Sequence, residues 1–325
     1  MIVTVTPNPS IDRTITLPGA LVRGAVHRVS SVTDEPGGKG VNVARALGLA
    51  GLDALAVLPA AEADPMLSAL RACGVPYATV PVRGAVRTNV AITERDGTTT
   101  KLNEPGASLD AEALNALTRT VIEAAQRAEW IVMSGSLPPG VPASWYADVV
   151  AELAGRNCRV AVDTSDAPLS ALAASFGRAA PDLIKPNAEE LAGLTGASGP
   201  ELEEAAAAGD PMPVITAARQ LVERGARTIL VTLGAAGAVL VEPSGSWLAG
   251  SPPITPRSTV GAGDSALAGY VRAALAGASA PDRLRMAVAY GSAAASLPGS
   301  ALPGPELIDL EAVPVKAISL SRSDT

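Results

Sequence analysis

Short apolar runs of strand length alternate along most of this chain with stretches whose apolar residues recur at helical spacing. The apolar runs lie at 1–6, 55–59, 130–133, 159–162, 183–184 and 228–232. This alternation predicts an α/β fold in which helices cover both faces of a parallel sheet. Ligands of such sheets bind beyond the carboxyl ends of the strands. At those ends the sequence has the polar residues Ser134, Ser136, Asp163, Lys185, Asn187 and Thr232.

A second group of segments alternates apolar and polar residues, as strands with one solvent-exposed face do. These segments lie at 11–17, 26–32, 87–94 and 98–103, and a hairpin signal at Asp96-Gly97 joins the last two. They predict a small sheet that stands apart from the main one. We therefore divide the chain into a core at 1–9, 36–80 and 106–311, a small sheet at 10–35 and 81–105, and a tail at 312–325. We expect loose order from Pro298 onward, because that stretch is rich in proline and serine.

The composition argues against several classes of function. The formal net charge of −7 disfavours nucleic-acid binding, and no run approaches the ~18 apolar residues of a membrane span. The chain opens on an apolar strand without a basic region, so we expect no signal peptide. His27 is the only histidine, which argues against a histidine triad or metal site. Cys73 and Cys158 match no disulfide or metal pattern, so we expect a reducing, cytoplasmic location.

The segment 258–265 (STVGAGDS) carries the strongest chemical signal. It follows a proline-rich loop and opens a helix, so its glycines can bring backbone amides close to an anion at the positive end of the helix dipole. Asp264 would stand beside that anion and could take a proton from a hydroxyl that attacks a phosphate. Two other interpretations stay open on this segment alone. Asp264 could be an ordinary helix cap, and Gly261-x-Gly263 could be a dinucleotide-binding turn.

The segment 37–42 (GGKGVN) is glycine-rich and also opens a helix, but it does not fit the P-loop pattern. Lys39 could reach a phosphate and Asn42 could bond hydroxyl groups, or the segment could be a flexible turn with a solvated lysine. Arg87 could likewise bind a phosphate or be an exposed strand residue.

The segments 185–190 (KPNAEE) and 232–237 (TLGAAG) both follow predicted strands. Asn187 and Glu190 could hold Mg²⁺ through water, or they could form a helix-capping box. The segment 232–237 could bind phosphate or ribose, or be an ordinary turn.

In this order, the segments resemble the ribokinase (PfkB) family of carbohydrate kinases, over about residues 1–300. The similarity is greatest to the hexose-phosphate kinase branch, through 4–12 (TVTPNPSID), 37–40 (GGKG), 87–90 (RTNV), 134–138 (SGSLP) and 258–265. Two features depart from the family: Ser258 stands where many members have Asp, and the insertion 198–213 has no family motif. The resemblance implies a ribokinase-like, three-layer αβα Rossmann-like domain. It also implies that the small sheet is a lid, through which we expect a homodimer.

The resemblance further implies roles for individual residues. It implies a general base at Asp264 and an anion hole at the amides of Gly261, Ala262 and Gly263. It implies phosphosugar contacts at Asp12, Gly37, Gly38, Lys39, Asn42, Arg87 and Ser136. It implies ATP contacts at Lys185, Asn187, Thr232, Gly234, Gly237 and Ser292. It implies that Mg²⁺ is held through water by Asn187 and Glu190.

The expected function is ATP-dependent phosphorylation of a ketohexose phosphate. The first candidate reaction converts fructose 1-phosphate to fructose 1,6-bisphosphate, with tagatose 6-phosphate and fructose 6-phosphate as alternative substrates. Lys39 and Arg87 together disfavour a kinase of an unphosphorylated sugar or nucleoside, and the intact Asp264 disfavours a catalytically silent sugar-phosphate sensor. An NAD-dependent oxidoreductase would rest on the loose glycine match alone.

Overall fold

Two β-sheets organise the computed structural model, which describes residues 1–319; residues 320–325 of the predicted tail lie outside the described residues. The strands are β1 (Ile2–Val5), β2 (Ser10–Thr16), β3 (Ser31–Gly37), β4 (Ala54–Pro59), β5 (Tyr77–Val80), β6 (Arg87–Thr93), β7 (Thr99–Asn103), β8 (Trp130–Ser134), β9 (Arg159–Asp163), β10 (Leu183–Ile184), β11 (Ile229–Thr232), β12 (Ala238–Glu242), β13 (Gly245–Ala249) and β14 (Val315–Ala317). The helices are α1 (Lys39–Leu49), α2 (Pro65–Ala72), α3 (Ala111–Ala124), α4 (Trp145–Leu153), α5 (Asp166–Ala174), α6 (Ala188–Thr195), α7 (Gly199–Ala207), α8 (Met212–Glu223), α9 (Ala262–Leu275) and α10 (Ala280–Ala295).

The larger sheet has ten strands in the order β14-β13-β12-β11-β10-β9-β8-β1-β4-β5. The strands from β11 to β5 run parallel, and β12, β13 and β14 extend the sheet antiparallel. From β1 the chain goes to β4 and β5 on one side, and it later builds β8 to β11 on the other. The strand order therefore reverses between β1 and β8, and a crevice at such a reversal is where open α/β sheets bind ligands.

Each face of this sheet has its own hydrophobic core, because successive strand side chains point to opposite faces. In β1, Val3 and Val5 join a cluster with buried residues of α3, α4, α5, α6, α7 and α8. Ile2 belongs to the cluster on the other face, which draws on α1, α2, α9 and α10. The predicted three-layer αβα domain is confirmed. No helix formed by residues 1–319 is long and apolar enough to cross a membrane.

The smaller sheet, called the lid from here on, has the order β3-β2-β6-β7. The prediction of a strand at 26–32 is wrong, because β3 runs from Ser31 to Gly37 and Val26 is 95% exposed in the loop before it. β3 contains Pro36 and is an edge strand, the position in a sheet where proline is tolerated. The predicted hairpin of β6 and β7 is confirmed.

The C-terminal region is more ordered than its composition suggests. Within the predicted tail, β14 pairs antiparallel with β13, so the expected loose order is wrong at Val315–Ala317. The insertion 198–213 contains α7, which begins with a cap from Ser198 and buries Leu202. Both segments therefore pack onto the core.

Candidate active site

The parallel strands of the main sheet end in polar residues at one edge. β9 ends at Asp163 and β11 at Thr232, while Lys185 directly follows β10. Ser136 lies two residues beyond the end of β8. Because β11, β10, β9 and β8 are neighbours in that order, these four residues lie along the crevice that ends at the strand-order reversal.

Asp163 is the centre of an ion-pair cluster at this edge, in which Asp163 and Lys185 are buried and Lys39 is partly exposed. Its Oδ1 accepts a hydrogen bond from Lys39 Nζ at 3.1 Å, and its Oδ2 lies 3.3 Å from Lys185 Nζ. Burial opposes ionisation of this carboxylate, but Lys185 and Lys39 hold its pKa below the ordinary value. Asp163 is in turn the main cause of the raised pKa of Lys39. Two ammonium groups around this one carboxylate could also face an anionic ligand.

Asp264 is buried in the first turn of α9, with 6% of its surface exposed. Its Oδ2 accepts a hydrogen bond from Asn42 Nδ2 at 2.9 Å, which brings the segments 37–42 and 258–265 together. Burial raises the pKa of Asp264 to about 6, although Lys39 opposes the shift. A carboxylate with this pKa is ionised at neutral pH and is more basic than a solvent-exposed aspartate, as a general base should be.

Helix α9 begins without a side-chain cap among the described residues. Its N-cap, Gly261, has a left-handed φ of 75°. The amide of Ala262 makes only a long bond, 3.4 Å, to the carbonyl oxygen of Thr259. A Cβ at Gly263 would stand 3.2 Å from Lys185 Nζ, so glycine lets the ammonium group approach the helix terminus. The helix dipole, these amides and the lysine together form a site for an anion beside Asp264.

The lid contributes Asp12 to the crevice. Asp12 Oδ1 accepts hydrogen bonds from Ser10 Oγ at 2.7 Å and from Asn89 Nδ2 at 3.1 Å. The carboxylate lies against Gly37, where a Cβ would overlap with it. Gly38 follows with a φ of 98° as the N-cap of α1. The two glycines therefore allow the lid carboxylate and the start of α1 to approach each other closely.

Arg87 connects the lid to the core through Asn8. Its Nη1 donates to the carbonyl oxygen of Glu104 at 3.0 Å, and its Nη2 donates to that of Asn8 at 3.3 Å. Asn8 Nδ2 donates to Ser136 Oγ at 3.2 Å. Burial lowers the pKa of Arg87, but a guanidinium stays charged at neutral pH. Arg87 and Ser136, two of the side chains expected to contact the phosphosugar, thus share one asparagine neighbour.

Three buried polar atoms in these residues have no hydrogen-bond partner within residues 1–319. They are Asn42 Oδ1, Asn89 Oδ1 and Arg87 Nε. Buried polar atoms are normally paired, and an unpaired one costs about 1–3 kcal/mol. The hydroxyl and phosphate groups of a sugar phosphate are suitable partners for all three.

Asn187 and Glu190 form the capping box that was one of the two interpretations of their sequence. Glu190 N donates to Asn187 Oδ1 at 2.8 Å, and Asn187 N donates to Glu190 Oε2 at 2.9 Å. The backbone of Asn187 also forms a parallel β-bridge with Thr232, the last residue of β11. The described residues hold no cluster of three or more His, Cys, Asp or Glu side chains that could bind a metal by themselves. The box occupies one oxygen of the Glu190 carboxylate, so this pair suits a cation that keeps most of its water, as Mg²⁺ does.

The remaining nucleotide candidates lie at the β11–β12 turn and on α10. Gly234–Ala236 forms a 3₁₀ turn, and Gly237 has a φ of 101° where its α-carbon packs on the end of β13. Ser292 is buried on α10. The adjacent Gly291 packs against α9, where a Cβ would stand 3.3 Å from the carbonyl oxygen of Ala262. The structure thus brings Ser292 near the start of α9, and it shows no hydrogen bond within the described chain from Ser292 to the β11–β12 turn.

Two residues at the centre of the site have no individual role in the sequence prediction. Asp163 is one of the polar strand ends named from the sequence, but no local pattern shows that it pairs with two lysines. Asn89 lies in the segment 87–90, but its contact with Asp12 depends on the parallel pairing of β2 and β6 across 77 residues of sequence.

A parallel sheet covered on both faces, a buried carboxylate in the first turn of a helix without a side-chain cap, and a second sheet beside the crevice are together typical of one class: an α/β phosphotransferase that acts on a hydroxyl group. The profile of the pfkB family carbohydrate kinases matches residues 5–307. The chain belongs to the pfkB family of carbohydrate kinases.

Individual relatives agree with this placement. A 1-phosphofructokinase of Rhodobacter capsulatus is 38% identical over 311 residues, which cover 94% of this chain and 93% of that protein. The ATP-dependent 6-phosphofructokinase isozyme 2 of Escherichia coli is 34% identical over 305 residues, which cover 93% of this chain and 94% of that protein. The crystal structure of phosphofructokinase-2 from Escherichia coli in complex with potassium superposes with a TM-score of 0.84 at 32% identity, covering 94% of this chain and 96% of that one.

Proposed function

We propose that this carbohydrate kinase acts in the cytoplasm and transfers the γ-phosphoryl group of ATP to the free primary hydroxyl of fructose 1-phosphate, giving fructose 1,6-bisphosphate and ADP. The observation that carries the proposal is the position of Asp264. This buried carboxylate, with its pKa raised to about 6 by burial, lies between Asn42 of the segment 37–42 and the glycine-flanked start of α9. A base, an anion site and a hydroxyl-binding side chain therefore meet at one point.

In the proposed reaction, Asp264 accepts the proton of the primary hydroxyl as the hydroxyl oxygen bonds to the γ-phosphorus. The bond between that phosphorus and the bridging oxygen breaks, and ADP leaves with the electron pair. The amides at 261–263 and Lys185, which lies beside Gly263, stabilise the charge on the transferred group. Lys39 and Lys185 keep their positions because both pair with Asp163.

The kinase family implies ATP as the phosphoryl donor, and phosphoryl transfer from ATP needs a divalent cation to offset phosphate charge. Asn187 and Glu190 would hold Mg²⁺ through water, next to Thr232 and the β11–β12 turn that would contact ATP. We expect Lys185, Gly234, Gly237 and Ser292 to complete the nucleotide site.

Sugar recognition would rest on Asp12 and Asn42 for hydroxyl groups and on Arg87, Ser136 and Lys39 for the existing phosphate. The relative named as a 6-phosphofructokinase supports a second candidate, fructose 6-phosphate. In the furanose ring, both sugar phosphates have a phosphate on one primary carbon and a hydroxyl on the other. A site with one phosphate anchor and one base therefore fits either substrate in opposite orientations.

A substrate panel tests the proposal. ADP release is measured with fructose 1-phosphate, fructose 6-phosphate, tagatose 6-phosphate and fructose, each at saturating MgATP. We expect the highest kcat/KM with fructose 1-phosphate and the lowest with unphosphorylated fructose. A higher kcat/KM with fructose 6-phosphate would select the second candidate, and equal rates with fructose would contradict the phosphate anchor.

We also propose that two copies associate through the lid. The lid carries apolar side chains in contact with solvent, with exposed fractions of 57% at Val22, 95% at Val26 and 57% at Leu102. Exposed apolar side chains on one small sheet and its loop support an interaction surface there. Light scattering should give the mass of a dimer, and Val26→Glu should shift it towards the monomer. A monomeric wild-type protein at assay concentration would contradict this association.

A further inference from the structure

Several chain connections join the lid to the core, and hydrogen bonds or ion pairs with core side chains hold three of them in place. Asp64 of the core accepts a hydrogen bond from the amide of Val86, where the chain enters β6. Asn8 donates to the carbonyl oxygen of Pro105, where the chain leaves the lid after β7. The third connection, at the end of β3, is held by Glu35, whose two carboxylate oxygens bind two different elements of the core.

Glu35 Oε1 pairs with Arg45 Nη2 of α1 at 3.4 Å. Arg45 Nη1 also donates to the carbonyl oxygen of Pro36 at 3.1 Å. This arginine therefore binds both the Glu35 side chain and the backbone of β3. Glu35 Oε2 accepts a hydrogen bond from the hydroxyl of Ser300, 265 residues away in sequence. Ser300 is 6% exposed and lies in the loop 296–302, which follows α10.

That loop is packed against the proposed anion hole. At the end of α10, the carbonyl oxygen of Ala295 accepts hydrogen bonds from the amides of Arg257 at 2.8 Å and Ser258 at 3.3 Å. Further along, Leu302 Cδ2 lies 3.4 Å from where a Cβ of Gly261 would stand. The end of α10 thus holds the start of the segment 258–263, and Leu302 of the loop packs against Gly261.

At its other end, Glu35 belongs to the sugar side of the crevice. Glu35 and Asp12 are register partners in β3 and β2, and Gly37, two residues later, packs against the Asp12 carboxylate. One side chain therefore connects the strand beside the sugar-binding carboxylate with the loop beneath the anion hole.

We propose that Glu35 is a positioning residue for phosphoryl transfer. Through Ser300 it fixes the lid edge that holds the sugar relative to the loop that holds the transferred phosphoryl group, so that hydroxyl and phosphorus meet at reacting distance. The inference rests on the proposed function, because it takes these two surfaces as the sites of the sugar and of the γ-phosphate. Small displacements of reacting groups cost rate more than affinity, since a misplacement of about 1 Å can cost about 10²-fold.

Ser300→Ala tests this link with the least disturbance, because it removes one hydroxyl. We expect kcat to fall about tenfold while both KM values stay within about twofold, and the share of ATP hydrolysed without sugar phosphorylation to rise. Ser296→Ala is the matched control. It removes a hydroxyl from the same loop that bonds only to the carbonyl oxygen of Ala293 in its own helix, and it should leave kcat unchanged.

A double-mutant cycle that combines Ser300→Ala with Glu35→Gln tests whether the two residues act through one shared interaction or independently. If the two residues act together, the double variant should be no slower than the slower single variant, because breaking either end breaks the link. If the loss of kcat in the double variant equals the product of the two single losses, the proposal is overturned. Equal losses in Ser300→Ala and Ser296→Ala would also overturn it.

Hydrogen–deuterium exchange of the variants gives a reading that does not depend on activity. Ser300→Ala should speed exchange in 258–264 and in the lid strand β3, whereas Ser296→Ala should not. Unchanged exchange in either segment would overturn the link. If the wild-type enzyme phosphorylates no ketohexose phosphate, the proposed function fails, but the exchange measurement still tests whether Glu35 couples the two segments.

Discussion

The crevice has one wall from the core and one from the lid, and the two walls differ in how deeply their polar side chains are buried. The core wall holds its charges out of water: Asp163 and Asp264 are 1% and 6% exposed, and both have shifted pKa values. The lid wall is only partly buried, and one hydrogen bond joins Asp12 and Asn89 there across adjacent strands. The core wall has rigid charges between helices and a parallel sheet, whereas the lid wall has polar side chains on a thin sheet.

This difference suggests that the two walls have different roles in the reaction. Desolvated charges in fixed positions stabilise a developing charge strongly, because they need no reorganisation when the reaction occurs. Partly exposed polar groups on a thin sheet suit the recognition of hydroxyl and phosphate groups that must enter and leave. We therefore expect changes in the core wall to affect mainly kcat, and changes in the lid wall to affect mainly KM for the sugar.

The largest effect should come from the base. Asp264→Asn should lower kcat by about 10³- to 10⁴-fold, because the hydroxyl proton then has no acceptor. Binding of fructose 1-phosphate, measured by calorimetry, should change little. Asp53→Asn, which removes an exposed carboxylate before β4, is the control and should keep full turnover. Asp264 would not be the base if its variant retained more than about a tenth of the wild-type rate.

The same substitution should stabilise the protein at neutral and alkaline pH. The folded-state pKa of Asp264, about 6, lies above its ordinary value of 3.8. As pH rises, the unfolded chain therefore releases this proton first, and the folded state loses stability between about pH 4 and pH 6, by about 3 kcal/mol in total. In urea titrations at about pH 8, the free energy of unfolding of Asp264→Asn should exceed that of the wild type by this amount. The two values should converge towards about pH 4. If the variant is less stable than the wild type at pH 8, burial does not destabilise the ionised Asp264 carboxylate.

A smaller effect is expected from the lid. Arg87→Ala should raise KM for fructose 1-phosphate about 10- to 100-fold, the usual loss for a charged hydrogen bond, and leave KM for ATP within about twofold. Arg83→Ala removes an exposed arginine from the linker before β6 and should change neither constant. Equal increases in the two KM values would show that Arg87 does not anchor the sugar phosphate and would remove the distinction between the walls.

The sequence predicted the core wall better than the lid wall. Helix starts and strand ends are local signals, so the segment 37–42 could be placed at a helix start, 185–190 at the carboxyl edge of the sheet and 258–265 at a helix start before any contact was known. The structure confirms that the first and the last of these meet, through Asn42 and Asp264. It also shows Asn187 and Glu190 in a capping box, which is the interpretation that this segment alone favours over a metal site.

The lid was harder to predict because its contacts depend on register over long separations. The strand placed at 26–32 lies at 31–37, and this shift is what brings Glu35 opposite Asp12 and Gly37 against its carboxylate. The hydrogen bond between Glu35 and Ser300 spans 265 residues and leaves no local trace in the sequence. Pairing between distant segments is set by tertiary packing, which periodicity alone does not reveal.

The most direct test of the base is the pH dependence of kcat in the wild type and in Asn42→Ala, with both substrates saturating. Burial raises the pKa of Asp264 to about 6, and the hydrogen bond from Asn42 opposes that shift. If Asp264 is the base, kcat should rise with pH through about 6 in the wild type, and the midpoint should move to higher pH when Asn42 is removed. Substrate phosphates titrate alike in both proteins, so the displacement isolates Asp264. An unchanged midpoint, or one displaced to lower pH, would contradict the role of Asp264.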